Sequence, residues 1–196
     1  MIQPIFHILL LRRSSAREVI EKDIIRWTQI TDSARSEYPL LANFAWLVTD
    51  ETLSEFRNLF YYRLGKPASL LDKLLLIAAK AVSKPRSALS IETPSVGPGF
   101  VIKHGFNAII RAQSIGENCM VFQDVTIGYK NPGGGLPIIG DHVHISAGAK
   151  VLGPIKIGDY SVVAANSVIT KDMPPHSTGG GVPARVIIRA GVIDDV

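Results

Sequence analysis

Beyond residue 96 an aliphatic side chain recurs every sixth position. Counting from Ile139 gives Ile139, Ile145, Val151, Ile157, Val163 and Ile169. Valine and isoleucine fill 20 of the 75 residues from 96 to 170, so six successive hits in one register arise by chance in only about 4 of 10,000 cases. The same cadence runs upstream as Val96, Ile102 and Ala108 and, after one inserted residue, Ile115, Val121 and Ile127. A glycine often follows the aliphatic residue (Gly97, Gly116, Gly128, Gly140, Gly158). Four positions after it come small or apolar side chains: Val143, Ala149, Ile155, Ser161 and Ser167.

An amphipathic helix repeats at 3.6 residues and a half-buried strand at two, so neither yields a period of six. Short flat faces joined by tight turns do. Each face points one aliphatic side chain inward, and a turn that tolerates glycine leads to the next. Three faces close a triangular coil of about 18 residues, and the twelve register positions predict four stacked coils. Stacking buries the aliphatic columns and pairs the backbone groups of one coil with those of the next.

The chain ahead of residue 90 has a helical cadence. Ser15 and Glu18 form a capping-box pair before Ile20, Ile24 and Trp27. Thr49 or Asp50 is placed to cap a segment bearing Leu53, Phe56, Phe60 and Leu64, ended by Gly65 and Pro67. Ser69 and Asp72 open a third helix that runs to about Val82 and is closed by Pro85. The expected organisation is a helical region over 1–90, a coil domain over 91–188 and a tail over 189–196.

Composition narrows the function. With 46% hydrophobic and 19% charged residues the chain can bury a core. A net charge of +4 suits an anionic small ligand and is too weak to argue for nucleic acid. The single cysteine, Cys119, excludes an internal disulfide and a multi-cysteine zinc site, and it is expected to be buried. In Ile2–Leu11 the basic residues follow the apolar run, contrary to a secretory signal. No apolar stretch reaches the roughly 20 residues of a membrane span. The expectation is a cytoplasmic protein.

Four stretches carry a family likeness: Ile102-Lys-His-Gly-Phe-Asn-Ala-Ile-Ile, Val125-Thr-Ile-Gly, Ile145-Ser-Ala-Gly-Ala-Lys-Val-Leu-Gly and Pro174-Pro-His-Ser-Thr-Gly-Gly-Gly-Val-Pro-Ala-Arg. With them, residues 91–188 resemble the hexapeptide-repeat acyltransferases. Within that group the chain is similar to serine acetyltransferases and to the O-acetyltransferases of bacterial exopolysaccharide synthesis. The resemblance implies a left-handed parallel β-helix behind an α-helical N-terminal region. It also implies acetyl-CoA as donor with no metal, and transfer of acetyl to a small-molecule hydroxyl, L-serine or a sugar. His104 stands where the family has its catalytic histidine, a side chain whose ordinary pKa suits a base at neutral pH.

Departures from the family pattern bear on the acceptor. The carboxylate that orients the family's histidine sits in an Asp-Ile-His-Pro stretch. Here Ser90-Ile91-Glu92-Thr93-Pro94 puts serine in that place and leaves Glu92 as the substitute. Serine acetyltransferases have an aspartate where this chain has Lys103, and a histidine where it has Leu136, at the end of the shorter loop Tyr129–Pro137. Lys103, Asn107 and Leu136 are therefore the expected acceptor contacts, and the lost charges shift the pattern toward the exopolysaccharide branch. Carried over by position, Gly128, Tyr129, Ala147 and Ala165 would line the coenzyme A groove, with Lys171 and Arg185 on its phosphates; ordinary repeat residues are the competing reading. The remaining histidines His142, His144 and His176 read as surface or turn residues, and His7 has no motif around it. The resemblance implies a homotrimer whose helical regions can pair two trimers into a hexamer. In serine acetyltransferases the tail docks into cysteine synthase and ends in isoleucine; this chain ends Val192-Ile-Asp-Asp-Val196, so the likeness to that partner's motif is partial.

Overall fold

The computed structural model describes residues 3–188. The chain divides after Ser87 into two compact units.

The first unit holds five helices: α1 (Gln3–Arg13), α2 (Arg17–Thr31), α3 (Leu40–Thr49), α4 (Ser54–Leu64) and α5 (Leu70–Val82). Its core is aromatic and aliphatic. Trp27 meets Phe56 edge-on at 5.4 Å between ring centres, and Phe44 meets Phe60 at 5.2 Å. Ile20, Ile24 and Trp27 are buried, as the spacing predicts. The capping box is not formed. α2 starts at Arg17 behind Ala16, which offers no side-chain cap, and the nearby hydroxyl that accepts a backbone N–H is that of Ser14, from Ala16 at 3.1 Å. Asp50 does cap, but a short 3₁₀ turn, Glu51–Leu53, ahead of α4. Gly65 ends α4 at φ 59°, and the Ser69 hydroxyl accepts the Asp72 N–H at 3.1 Å to start α5.

The second unit is a prism of short parallel strands. One face stacks Leu89–Ile91, Ala108–Ile110, Thr126–Gly128, Lys150–Leu152 and Val168–Ile169. A second stacks Ser114–Ile115, Ile138–Ile139 and Lys156–Ile157, extended by bridges to Val96 and Met173. The third stacks Val101–Ile102, Met120–Val121, His144–Ile145, Val162–Val163 and the hairpin Ser177–Gly181/Ala184–Ile188. All twelve register positions are buried, as are Val143, Ala149, Ile155, Ser161 and Ser167. The stack is longer than four coils, since its first face has five strands.

Two details of the register differ from expectation. Ile127 pairs with Ile110, not Ala108, because the turn after Ile102 is two residues wider than the repeat. Ala108 is also buried, two residues before Ile110 on the same strand. Of the recurring glycines, Gly97, Gly116, Gly140 and Gly158 serve close approach between coils. A Cβ on Gly97 would lie 2.5 Å from the carbonyl carbon of Gly116, and one on Gly116 would lie 2.6 Å from that of Gly140. The left-handed turn positions are different ones, held by Gly99 and Gly148 and by His104, Asn107, Asn118, Asp124, His142, Tyr160, Asn166 and His176, the non-glycine residues at φ between 51 and 56°. Asn, Asp and His are the non-glycine residues that adopt this conformation most readily. At the exit, a Cβ on Gly179 would meet Ile169 and Met173 at 2.8 Å, so the glycine run lets the final hairpin close over the prism end.

Candidate active site

Three corners join the faces, and the corner between the third face and the first carries His104. Ile102 ends one strand and Ala108 begins the next, so Lys103–Asn107 forms the turn. His104 is exposed at φ 51°. Its carbonyl accepts the Phe106 N–H at 2.7 Å, which tightens the turn and leaves the imidazole facing outward. Asn107, also left-handed, donates from Nδ2 to Asp124 Oδ1 on the next coil at 3.3 Å. Lys150 reaches the same corner and donates from Nζ to the Asp124 carbonyl at 2.5 Å. Ala147 and Ala165 lie at this corner on the two coils beyond, half-buried and exposed respectively.

Asp124 is a polar group of this corner that the sequence reasoning missed. The available signal was the register itself, which sets residues 123–124 one coil below 103–107.

The remaining expected residues, except Arg185 on the closing hairpin of the third face, stand at the other edge of the first face, where strands end and turn toward the second. Glu92 is here, and its carboxylate accepts from Ser90 Oγ at 2.8 Å and pairs with Arg111. Among the described residues these are its partners, and His104 is not one of them. Thr93 is buried beside it, donating to the Ile110 carbonyl at 3.1 Å and accepting from the Ala112 N–H at 2.9 Å. The Arg111 guanidinium also lies 5.7 Å from the centre of the exposed Tyr129 ring. Gly128 ends its strand with open space where a Cβ would point. The loop 129–137 leaves from this edge, closed by a turn from Gly134 N–H to the Asn131 carbonyl, with Leu136 half-buried and Gly135 pressed against Pro154. Lys171 and Arg185 come together as walls of a groove of about 630 Å³ between residues 169–172 and 182–186. Three strand residues separate the two edges, about 10 Å. Within one chain, then, Lys103, His104, Asn107, Ala147 and Ala165 share one edge, while Glu92, Gly128, Tyr129, Leu136 and Lys171 lie at the opposite one.

The other histidines are accounted for elsewhere. At the third corner His142, Tyr160 and His176 stack on successive coils, with ring centres 4.5 and 5.0 Å apart and planes within 5°. His144 points outward from its strand, half-buried beside Phe122. His7 is buried in the helical unit against the Tyr61 hydroxyl at 2.9 Å, and Tyr61 donates to the Ser83 carbonyl at 2.8 Å. Cys119 is buried, its Sγ 3.0 Å from the Gly140 carbonyl oxygen.

Residues 137–171 match the family described as bacterial transferase hexapeptide (six repeats). The chain is 43% identical over 100 residues to a serine acetyltransferase of Bacillus pumilus, covering 50% of this chain and 46% of that protein. It is 39% identical over 123 residues to one of Staphylococcus aureus, covering 59% and 58%. The chain thus spans about half the length of the curated relatives it matches. A solved serine acetyltransferase of Brucella abortus, in complex with coenzyme A, superposes with a TM-score of 0.65 at 23% identity over 95% of this chain and 73% of the other. The prism is accordingly a left-handed parallel β-helix behind an N-terminal helical region.

Proposed function

We propose that this chain, which matches the hexapeptide transferase repeat over residues 137–171 and is similar to serine acetyltransferases, is an acyltransferase that transfers acetyl from acetyl-CoA to the hydroxyl of L-serine. One observation carries the reading. An exposed histidine stands at a corner of the coil stack, and among the described residues no side chain hydrogen-bonds its ring; the sequence resemblance gives this position the catalytic role. Such an imidazole is open to an incoming hydroxyl.

In this mechanism a ring nitrogen of His104 takes the hydroxyl proton as the oxygen attacks the thioester carbonyl carbon. The tetrahedral intermediate collapses with cleavage of the C–S bond. The His104 imidazolium then returns the proton to the departing thiolate, giving the ester, the free thiol and a neutral base. A positioned base contributes a factor of about 10² to 10⁴. Asp124 offers the nearby carboxylate for the ammonium group of serine, a role that Lys103 cannot fill. Glu92 shares its charge with Arg111 and Ser90, so the proton transfer rests on His104 itself.

The donor site divides between the two edges of the first face. Ala147 and Ala165 present small side chains along the His104 edge, two and three coils away from it. The open space at Gly128 leaves room for a slender chain, and Lys171 with Arg185 supplies positive charge for phosphates. Because one chain carries the two halves at opposite edges, the complete site forms between copies. The His104 edge of one protomer faces the Tyr129–Leu136 edge of the next, and three such contacts close a trimer. The proposed localisation is cytoplasmic. Pairing of trimers into a hexamer through the helical units belongs to the same reading, whereas the segment that would meet cysteine synthase lies outside the described residues.

A sugar hydroxyl is the second acceptor reading, favoured by Lys103 and Leu136 in place of the charged serine contacts. The two separate in one assay, in which thiol release from acetyl-CoA is followed with L-serine and with nucleotide-linked sugars. Turnover of serine with a KM in about the micromolar to millimolar range is the expected result. Release with the sugar alone moves the acceptor to a saccharide, and release with neither overturns the proposal.

A further inference from the structure

We propose that the helical unit docks on an anionic lipid surface through α5, which lies along the membrane without crossing it. The proposal is independent of the acyl-transfer reading. In a helix that packs on a core the apolar side is the buried one. In α5 the only fully buried residue is Ala79, backed by the half-buried Leu75 and Leu76. The opposite side is also apolar and faces outward: Leu70, Leu74 and Ile77 are 73, 56 and 58% exposed at helical spacing, flanked by exposed Leu71 and Val82. α1 packs against α5 and adds exposed Ile5 and Leu9, four residues apart on its own surface.

The charges say what covers this face. Lys73 and Lys80 are exposed on α5, and exposed Lys84 follows just past its end, although Lys80 Nζ also lies 5.3 Å from the Tyr61 ring centre. The one acid of the helix, Asp72, is turned away to Arg13 Nε at 2.5 Å and Ser69 Oγ at 2.6 Å. Leucine and isoleucine edged by uncompensated lysines are the pattern of a helix at an anionic interface. A second copy packed α5 on α5 would bring the same lysines, and the one carboxylate of that helix is already held by Arg13 and Ser69. Thirteen residues span about 20 Å, short of the roughly 30 Å hydrocarbon layer, and among the described residues no helix is long and apolar enough to cross a membrane.

The test is flotation of the full chain with phosphatidylcholine vesicles made with and without phosphatidylglycerol. Binding is expected with phosphatidylglycerol and should be released by salt. Replacing Lys73→Ala and Lys84→Ala together should weaken it about 25-fold, roughly fivefold per lysine. Leu74→Ser with Ile77→Ser should weaken it at least about tenfold with an unchanged circular-dichroism spectrum, since both side chains are exposed. Absence of flotation, or equal binding to both vesicles, overturns the proposal. So does a fall in the particle mass of the Leu74→Ser/Ile77→Ser protein without lipid, which would make this face a contact between copies.

Discussion

Ile109 and Ile110 are the same residue type on the same strand, and the coil register gives them opposite surroundings. Ile110 points into the prism with no exposed surface, paired with Ile127 on the next coil, while Ile109 is 47% exposed on the outside. Ile110→Ala removes three buried carbons, about 2.4 kcal/mol at 0.8 per methylene. The cavity left between stacked coils adds to that, placing the total in the range of about 2–5 kcal/mol. Ile109→Ala removes the same carbons from a half-solvated position and leaves no enclosed void, so about 1 kcal/mol is the upper limit. Urea unfolding followed by far-UV circular dichroism measures both; tryptophan fluorescence does not serve, because Trp27 and Trp46 both lie in the helical unit. Two protein concentrations are needed, since any contribution of Ile109 to a contact between copies appears as a concentration-dependent midpoint. The slope against urea should be unchanged. Equal losses for the two variants, or a larger concentration-independent loss for Ile109→Ala, would refute the inward assignment and with it the prism.

Removing Lys171 and Arg185 together by alanine substitution should raise the KM for acetyl-CoA about tenfold with kcat little changed, the pattern of lost uniform binding; an unchanged KM would take both out of the donor groove. Burial pushes the Tyr61 phenol above its ordinary range, with Arg57 partly opposing the shift. A raised folded-state pKa means that this contribution to stability is whole below about pH 10 and declines as the pH rises further. Urea midpoints measured from pH 9 to 11 should therefore fall more steeply for the wild type than for Tyr61→Phe, and parallel curves would contradict the assignment.

The coil domain was legible because its core obeys a one-dimensional rule. Each coil buries one aliphatic residue per face, and Val96, Ile102 and the ten positions that follow carry that rule in plain sequence. The slip at Ala108 came from the widened turn at residues 103–107, which spacing alone places anywhere between Ile102 and Ile115. The glycine column was visible but its cause was not. A turn that needs positive φ and a backbone that needs room both select glycine, and only coil-on-coil distances tell them apart. In the helical unit α2, α4 and α5 announced themselves through Trp27, Phe56 and the Ser69 cap, whereas α3 starts behind Pro39 without a capping side chain and neither it nor α1 has a clear stripe in the sequence. For the site, the family position of His104 was readable. Its separation by a whole face from Glu92 and the loop was not, because residues 92 and 104 are near in sequence but turn at different corners. The His142–Tyr160–His176 stack escaped notice because its members are 18 and 16 residues apart and each looks like an isolated turn residue.

The central claim, that the exposed imidazole at the coil corner moves the acceptor's proton, meets its most direct test in single-turnover acetyl transfer by His104→Ala at saturating acetyl-CoA and L-serine. The predicted result is a rate lower by about 10² to 10⁴, with the dissociation constant for acetyl-CoA unchanged. A His104→Ala protein that transfers acetyl at the wild-type rate would contradict the account.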